Sequence, residues 1–434
     1  IELTMVTALT QSIAMDMNLD GMQKASLASV VFVGITVGAG LGGYYGDRVG
    51  RRLPVLCSYL GSALCGLAST VAWNYLALLS LRFLLGVAMG LGMPSSLALV
   101  SEMSPVAWRA PLMGMRGIMF AIGNMLAAFI MLLDDQTLAR LNWRQDLAFG
   151  TIPSIFLGLM AFMHLRESPL FLASIGQHDS ARQVLEWIKQ QNGCDDVSVD
   201  YQISPTCIDD HASGYQKPWA HQLNLIFSKP FAYCTCVLCL VTFTFNFVEY
   251  GSAYAEPMVL QTTHANMPAA WQLFLKHAMS LPLRLGIAGI SVLMSRKHIL
   301  IVALLAMFCG VLFFATAGGL LHRSPFLTLV YYTGLYLPLA GCALACLAAY
   351  QLSVEIYPVV ATATGSAFCV GFGRLGSIAS PFLYELTREV GPWQNFYYLM
   401  AAVCLPAAAF SAFLPHEIEA SLKHDDEEAK SLLH

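Results

Sequence analysis

Eleven stretches of this chain are apolar for long enough to cross a lipid bilayer, and few folds are open to such a chain. A helix rises about 1.5 Å per residue, so roughly 20 apolar residues span the hydrocarbon. The stretches run 24–45, 53–73, 75–100, 112–133, 147–165, 231–253, 270–294, 299–320, 326–350, 361–385 and 393–413. In lipid every backbone N–H and C=O must be satisfied internally, and runs of this length do so as helices. The opening segment IELTMVTALTQSIAMDM reads as the outer half of one further helix whose beginning is missing, which gives about twelve spans. Only 12% of residues are charged, against about 25% in soluble domains. A net charge of −4 with no basic tail leaves no footing for nucleic acid.

The longest polar stretch divides the spans into six and six, so the fold class expected is an all-α membrane protein of two six-helix halves. The divisions are an N-terminal half at 1–165, a linker at 166–229, a C-terminal half at 230–414 and an acidic tail at 415–434. In the linker, Leu170, Leu172, Val184, Leu185 and Ile188 are interrupted by polar residues, as in helices that lie on a membrane surface. Arg48, Arg51, Arg52, Arg109, Arg296 and Lys297 fall on one side with the linker's Arg166, Arg182, Lys189, Lys217 and Lys229. The other side has Lys24, Arg140, Arg144, Arg323 and Arg388. By the positive-inside rule the linker and both ends are cytoplasmic. The twelve cysteines are scattered singly through apolar stretches and predict neither a disulfide framework nor a metal site. Without a nucleophile–base set in any loop, an enzyme is not expected, and no cofactor is called for. There is no G-x-x-x-x-G-K-[ST] loop, so any transport runs on gradients or exchange.

In the turn GGYYGDRVGRR, Gly43, Asp47, Arg48, Gly50, Arg51 and Arg52 fit the pattern G-x-x-x-D-R-x-G-R-R. It resembles the signature loop of the major facilitator superfamily, a fold of two six-helix halves working by alternating access. A second match, LLGVAMGLGMPSSLALVSEMSPVAWR, is similar to the sugar-porter pattern through Gly86, Gly90, Leu99, Glu102 and Arg109. Glu167, Ser168 and Pro169 resemble the E-S-P-R that closes the first half in sugar porters and organic-ion carriers, with Leu170 in place of the arginine. Glu355, Tyr357, Pro358 and Gly365 resemble the E-x-Y-P segment of organic cation, organic anion and synaptic-vesicle-type members. The resemblance implies gating roles for Asp47, Arg48, Arg51, Arg52, Glu102, Arg109 and Glu355, as a latch between the halves.

Substrate chemistry is expected near the midplane between the halves. An ionisable group there costs roughly 2.5–3.5 kcal/mol on insertion scales, so each needs a reason. The candidates are Glu2, Arg82, Arg116, Glu249, Lys276, Arg284 and Arg374. Arg116 and Lys276 lie near helix ends and read as snorkelling residues; Arg82 reads equally as brace or site. Arg284 follows Pro282 by two positions, and Arg374 lies in GFGRLGSIASP. Both positions resemble those where organic anion carriers place basic residues. Two cations in one cavity suit a carboxylate, which a guanidinium grips with a fixed fork of donors. Asn246, Tyr250 and Tyr336 are further substrate-binding candidates from aromatic-rich spans poor in the amides a sugar needs. Glu2 and Glu249 are candidate proton carriers, with partnership to an arginine as the alternative.

The solute expected is an organic anion, a monocarboxylate or aromatic acid, moved with protons or against a counter-transported anion by a monomer in the bilayer. A sugar or polyol symporter, an organic cation carrier and a vesicle-type receptor are the alternatives. The tail places Glu428, Leu432 and Leu433 in acidic dileucine spacing, which points to endosomal or vacuolar routing beside the plasma membrane.

Overall fold

A computed structural model describes residues 1–193, 198–199, 219–263, 267–320, 324–357 and 359–414, and among these all regular structure is helical. The first half comprises α1 (Glu2–Met17), α2 (Gly21–Val49), α3 (Arg52–Thr70), α4 (Tyr75–Met103), α5 (Val106–Asp134) and α6 (Trp143–His164). Three short helices follow, α7 (Pro169–Ser174), α8 (His178–Asn192) and α9 (Trp219–Ile226). The second half is α10 (Lys229–Thr262), α11 (Ala269–Leu293), α12 (Arg296–Gly318), α13 (Pro325–Glu355), α14 (Val359–Val390) and α15 (Gln394–Ala412). Among the described residues, nine of these helices are long and apolar enough to cross a membrane.

Helix boundaries follow local chemistry. Asp20 and Gln23 form a reciprocal capping box at the start of α2, with the Gln23 N–H donating to Asp20 at 2.7 Å and the Asp20 N–H to Gln23 at 3.1 Å. Asn74 caps α4 through the Ala77 N–H at 2.7 Å. Several helices overrun their apolar stretch. The stretch 231–253 becomes α10, which continues through Glu256 and an internal proline, Pro257, to Thr262. Neighbouring helices supply the partners that lipid would not, so the polar extension stays helical.

In the first half α2 packs on α4, α3 on α4 and α6; in the second, α12 packs on α13 and α15, and α10 on α14. The α2–α4 seam depends on backbone approach, as packing in lipid does. A Cβ added at Gly38 would stand 2.1 Å from the Val87 carbonyl oxygen of α4, a distance no side chain tolerates. Gly38→Leu is therefore expected to force the two helices apart, at a cost at or above the ~1–3 kcal/mol of ordinary overpacking. Size-exclusion chromatography of the detergent-solubilised variant should show loss of the monodisperse peak, and a wild-type profile would contradict the seam.

The halves meet along α5–α11, α2–α14 and α1–α10. Bonds between them gather at one end of the bundle. The Lys24 ammonium of α2 pairs with Glu385 of α14 at 3.1 Å, and the Gln261 amide of α10 donates to Leu138 at 2.9 Å. The Ala270 N–H at the start of α11 reaches Gln136 at 3.0 Å. The opposite end carries Arg51, and the two are called here the Lys24 end and the Arg51 end.

Candidate functional site

Between the halves lies a partly open cavity, about 520 Å³ of empty space counted together with the solvent it opens to, walled by α1, α5, α10, α11 and α13. Its apolar surface comes from Leu3, Phe120, Val248, Pro338 and Leu339, and its polar surface from Thr4, Thr7, Asn124 and Ser252. The Thr4 hydroxyl donates to Asn124 at 2.7 Å, tying α1 to α5 across the wall. Among the described residues, ionisable groups reach the wall from the second half: Glu249, Tyr250, Glu256, Lys276, His277 and Cys342.

Glu249 and Tyr250 thus line the cavity. Arg284 and Arg374 stand just beyond the wall, toward the Arg51 end. Cys346, one turn along α13 from the wall residue Cys342, lies within electrostatic reach of Glu249, Arg116, Arg284 and Arg374. Arg284 crosses to the other half, its guanidinium 5.7 Å from the Phe120 ring centroid, and its buried Nε has no hydrogen-bond partner. Arg374 lies beside the hydroxyls of Tyr250 and Tyr350. Arg116 is exposed and does not line the cavity. Asn246 sits elsewhere: it is buried in the α10–α14 seam, donating to the Thr242 carbonyl at 2.8 Å and accepting from Ser377 at 3.3 Å. Tyr336 is half-buried on α13 and stacks with Tyr332, ring centroids 6.5 Å apart.

Glu2 lies deep in the first half. Its carboxylate accepts from the Thr151 hydroxyl at 2.8 Å and approaches the fully buried Arg82 at 3.6 Å. Partnership with an arginine is therefore the arrangement around Glu2, and Arg82 is its brace.

The expectation that Lys276 snorkels does not hold. Its side chain is 6% exposed and forms an ion pair with Glu256 of α10, itself 5% exposed. Neighbouring His277 is also buried, and its Nδ1 has no hydrogen-bond partner. Glu256 escaped sequence reading because it lies beyond the apolar stretch. Its spacing of seven from Glu249, two turns along one helix face, is the signal that was available.

At the Arg51 end the turn is built around a carboxylate. Glu167 accepts from the backbone N–H groups of Arg51 at 2.8 Å, Arg52 at 3.1 Å and Ser168 at 3.0 Å. Gly50 adopts φ 108°, and a Cβ there would stand 2.3 Å from a Glu167 oxygen, so only glycine lets the turn close. Arg51 donates to Glu102 at 3.2 Å, to the Gly46 carbonyl at 3.0 Å and to Asp47 at 3.4 Å. Asp47 is 79% exposed, so that last pair contributes little. Arg48 lies over the Tyr44 ring and Arg52 donates to the Phe162 carbonyl at 3.2 Å. Arg109 lies on α5 and Glu355 closes α13; their side chains, Pro358 and the tail with Glu428, Leu432 and Leu433 fall outside the described part of the structure.

The family model described as "Sugar (and other) transporter" matches residues 6–428. The chain is 26% identical over 446 residues to the synaptic vesicle 2-related protein of Bos taurus, covering 96% of this chain and 75% of the relative. It is 27% identical over 393 residues to the 4-hydroxybenzoate transporter PcaK of Pseudomonas putida, covering 89% of this chain and 83% of that protein. Against solute carrier family 22 member 6 of Rattus norvegicus it is 25% identical over 410 residues, covering 93% and 70%. Among solved structures it superposes on the inward-open xylose transporter XylE from E. coli with a TM-score of 0.72 at 18% identity, covering 95% of this chain and 92% of that one.

Proposed function

Because this chain belongs to the sugar (and other) transporter family, we propose that the small solute it carries is an organic anion, a monocarboxylate or aromatic acid, moved by alternating access. It is a multi-pass membrane protein and a secondary transporter, not an enzyme. One observation carries the choice of anion. Cys346, beside the cavity, lies within electrostatic reach of the guanidiniums of Arg116, Arg284 and Arg374 and of the Glu249 carboxylate. Guanidiniums at the edge of a low-dielectric cavity favour an anionic solute and repel organic cations. The likeness to a 4-hydroxybenzoate transporter supports the same reading.

The Arg51 end faces the cytoplasm in this reading, following the positive-inside rule. The turn held by Glu167, Arg51 and Glu102 then acts as the cytoplasmic latch of the first half, with Asp47, Arg48, Arg52, Arg109 and Glu355 around it. Of the two proton-carrier candidates read from sequence, Glu2 is partnered with Arg82 and Glu249 lines the cavity. Asn246 supports the site from behind, through the seam that holds α14 and Arg374.

A sugar or polyol is the second reading, favoured by the uncharged donors and acceptors of Thr4, Thr7, Asn124 and Ser252 on the cavity wall. Uptake into proteoliposomes of labelled carboxylates, hexoses and amines, with and without a pH gradient, separates the two. Carboxylates are expected to be taken up in preference. A wild type that prefers a hexose or an amine over every carboxylate tested would reject the anion.

A further inference from the structure

The Glu256–Lys276 pair has no role in the site as described so far, yet it is an ion pair on the cavity wall. Both side chains are nearly inaccessible, at 5% and 6%, and both border the cavity. Beside them the buried His277 presents a ring nitrogen without a partner, which a polar ligand in this cavity would satisfy. Two facts of charge bear on the pair. A buried ammonium stripped of its only carboxylate is strongly disfavoured, and so is an extra anion added to a pair already neutral. The two penalties cancel when a proton and an anion arrive together.

We infer that Glu256 and Lys276 form an exchangeable ion pair. A proton from water adds to the Glu256 carboxylate and makes it a neutral acid. The Lys276 ammonium, released from it, binds the carboxylate of the solute in its place. Before and after, the charge of the group sums to zero: ammonium and carboxylate first, then ammonium, solute carboxylate and a protonated Glu256. Release of the solute on the far side returns the proton to water and re-forms the pair. The groups facing Glu256 allow this. Besides Lys276 and the adjacent His277 on α11, they are Glu249 on its own helix, Tyr331 of α13 and Tyr397 of α15. Lys276 is the cation among these partners, and the tyrosines are neutral at physiological pH. Glu249 lies two turns back along the same helix face, also on the cavity wall. The exchange rests on the anion reading above and deepens it: it names the group that couples the anion to a proton.

The test uses the full-length chain, purified, with labelled 4-hydroxybenzoate as the probe at pH 6 and pH 8, where the probe's carboxylate stays ionised. One proton bound per anion makes wild-type affinity rise by up to ~10-fold for each unit the pH falls, and an inward proton gradient should drive accumulation. Glu256→Gln should bind the probe equally at the two pH values and fail to accumulate it. Glu256→Asp keeps a titratable group and should keep the pH dependence. If Glu256→Gln does not purify as a monodisperse species, the doubly neutral Glu256→Gln/Lys276→Met variant carries the test, and it too must lose the pH dependence. Proton-driven accumulation that survives in either Gln variant overturns the exchange, as does pH-independent binding by the wild type. A wild type that takes up hexoses or amines but no carboxylate overturns the anion reading and the exchange with it. A wild type that transports carboxylate with a surviving proton response in Glu256→Gln overturns the exchange alone.

Discussion

Arg374→Ala is expected to weaken organic-anion uptake by roughly tenfold to a hundredfold in affinity while the protein still reaches the membrane. The size follows from the interaction lost, since a hydrogen bond to a charged group contributes about 1.5–3 kcal/mol. Arg374 is built to give that bond a fixed direction. It lies on α14 with its side chain hydrogen-bonded to Tyr250 of α10, and within electrostatic reach of Tyr350 of α13. Arg374→Lys keeps the charge and loses the two-pronged geometry, and should retain part of the activity. Arg374→Asp should abolish anion uptake. The same series at Arg284 should behave alike, because both guanidiniums act on the same point beside the cavity. Concentration-dependent uptake in proteoliposomes, with surface expression measured in parallel, checks the set. Unaltered affinity in Arg374→Ala would make the residue a brace between helices rather than a solute contact.

What could be read from the sequence, and what could not, divides along the membrane boundary. Helices were legible because the bilayer imposes a length and an apolar composition on each of them, and α2, α4 and α12 follow their apolar stretches closely. Arg284 and Arg374 were legible for the same reason inverted: a charge inside such a stretch must be accounted for. Glu256, Lys24 and Glu385 were not. Each sits where an apolar run gives way to polar sequence, so it counts as a loop charge until the helix is seen to continue past it. Glu256 belongs to a helix that runs on to Thr262, and Glu385 to one that runs on to Val390. Their partners come from helices distant in the chain, and no periodicity within one helix encodes which distant helix it will meet.

The Lys24 end of the bundle offers the second large effect. Lys24 of α2 and Glu385 of α14 join the halves at 3.1 Å, with side chains only 9% and 6% exposed, and the Tyr254 hydroxyl of α10 donates to the same carboxylate oxygen at 2.7 Å. Alternating access requires that the halves part at this end, and parting them must separate a buried ammonium from a buried carboxylate. Removing one partner of such a pair costs about 3–5 kcal/mol in the state that buries it. That state is the one with the Lys24 end closed, so the penalty falls on it and much less on the state in which water reaches the remaining charge. Glu385→Gln should therefore shift the equilibrium toward opening at the Lys24 end by about a hundredfold or more. A single cysteine at Thr7, which lines the cavity, in a background freed of native cysteines, reports the change through a membrane-impermeant maleimide added from the Lys24 side. Labelling should be slow in the parent and fast with Glu385→Gln or Lys24→Met. The charge swap Lys24→Glu/Glu385→Lys should restore slow labelling, because it keeps the attraction and reverses only its direction. Labelling at the parental rate in both single variants would mean that the backbone contacts at Leu138 and Gln136, rather than this pair, hold the end closed.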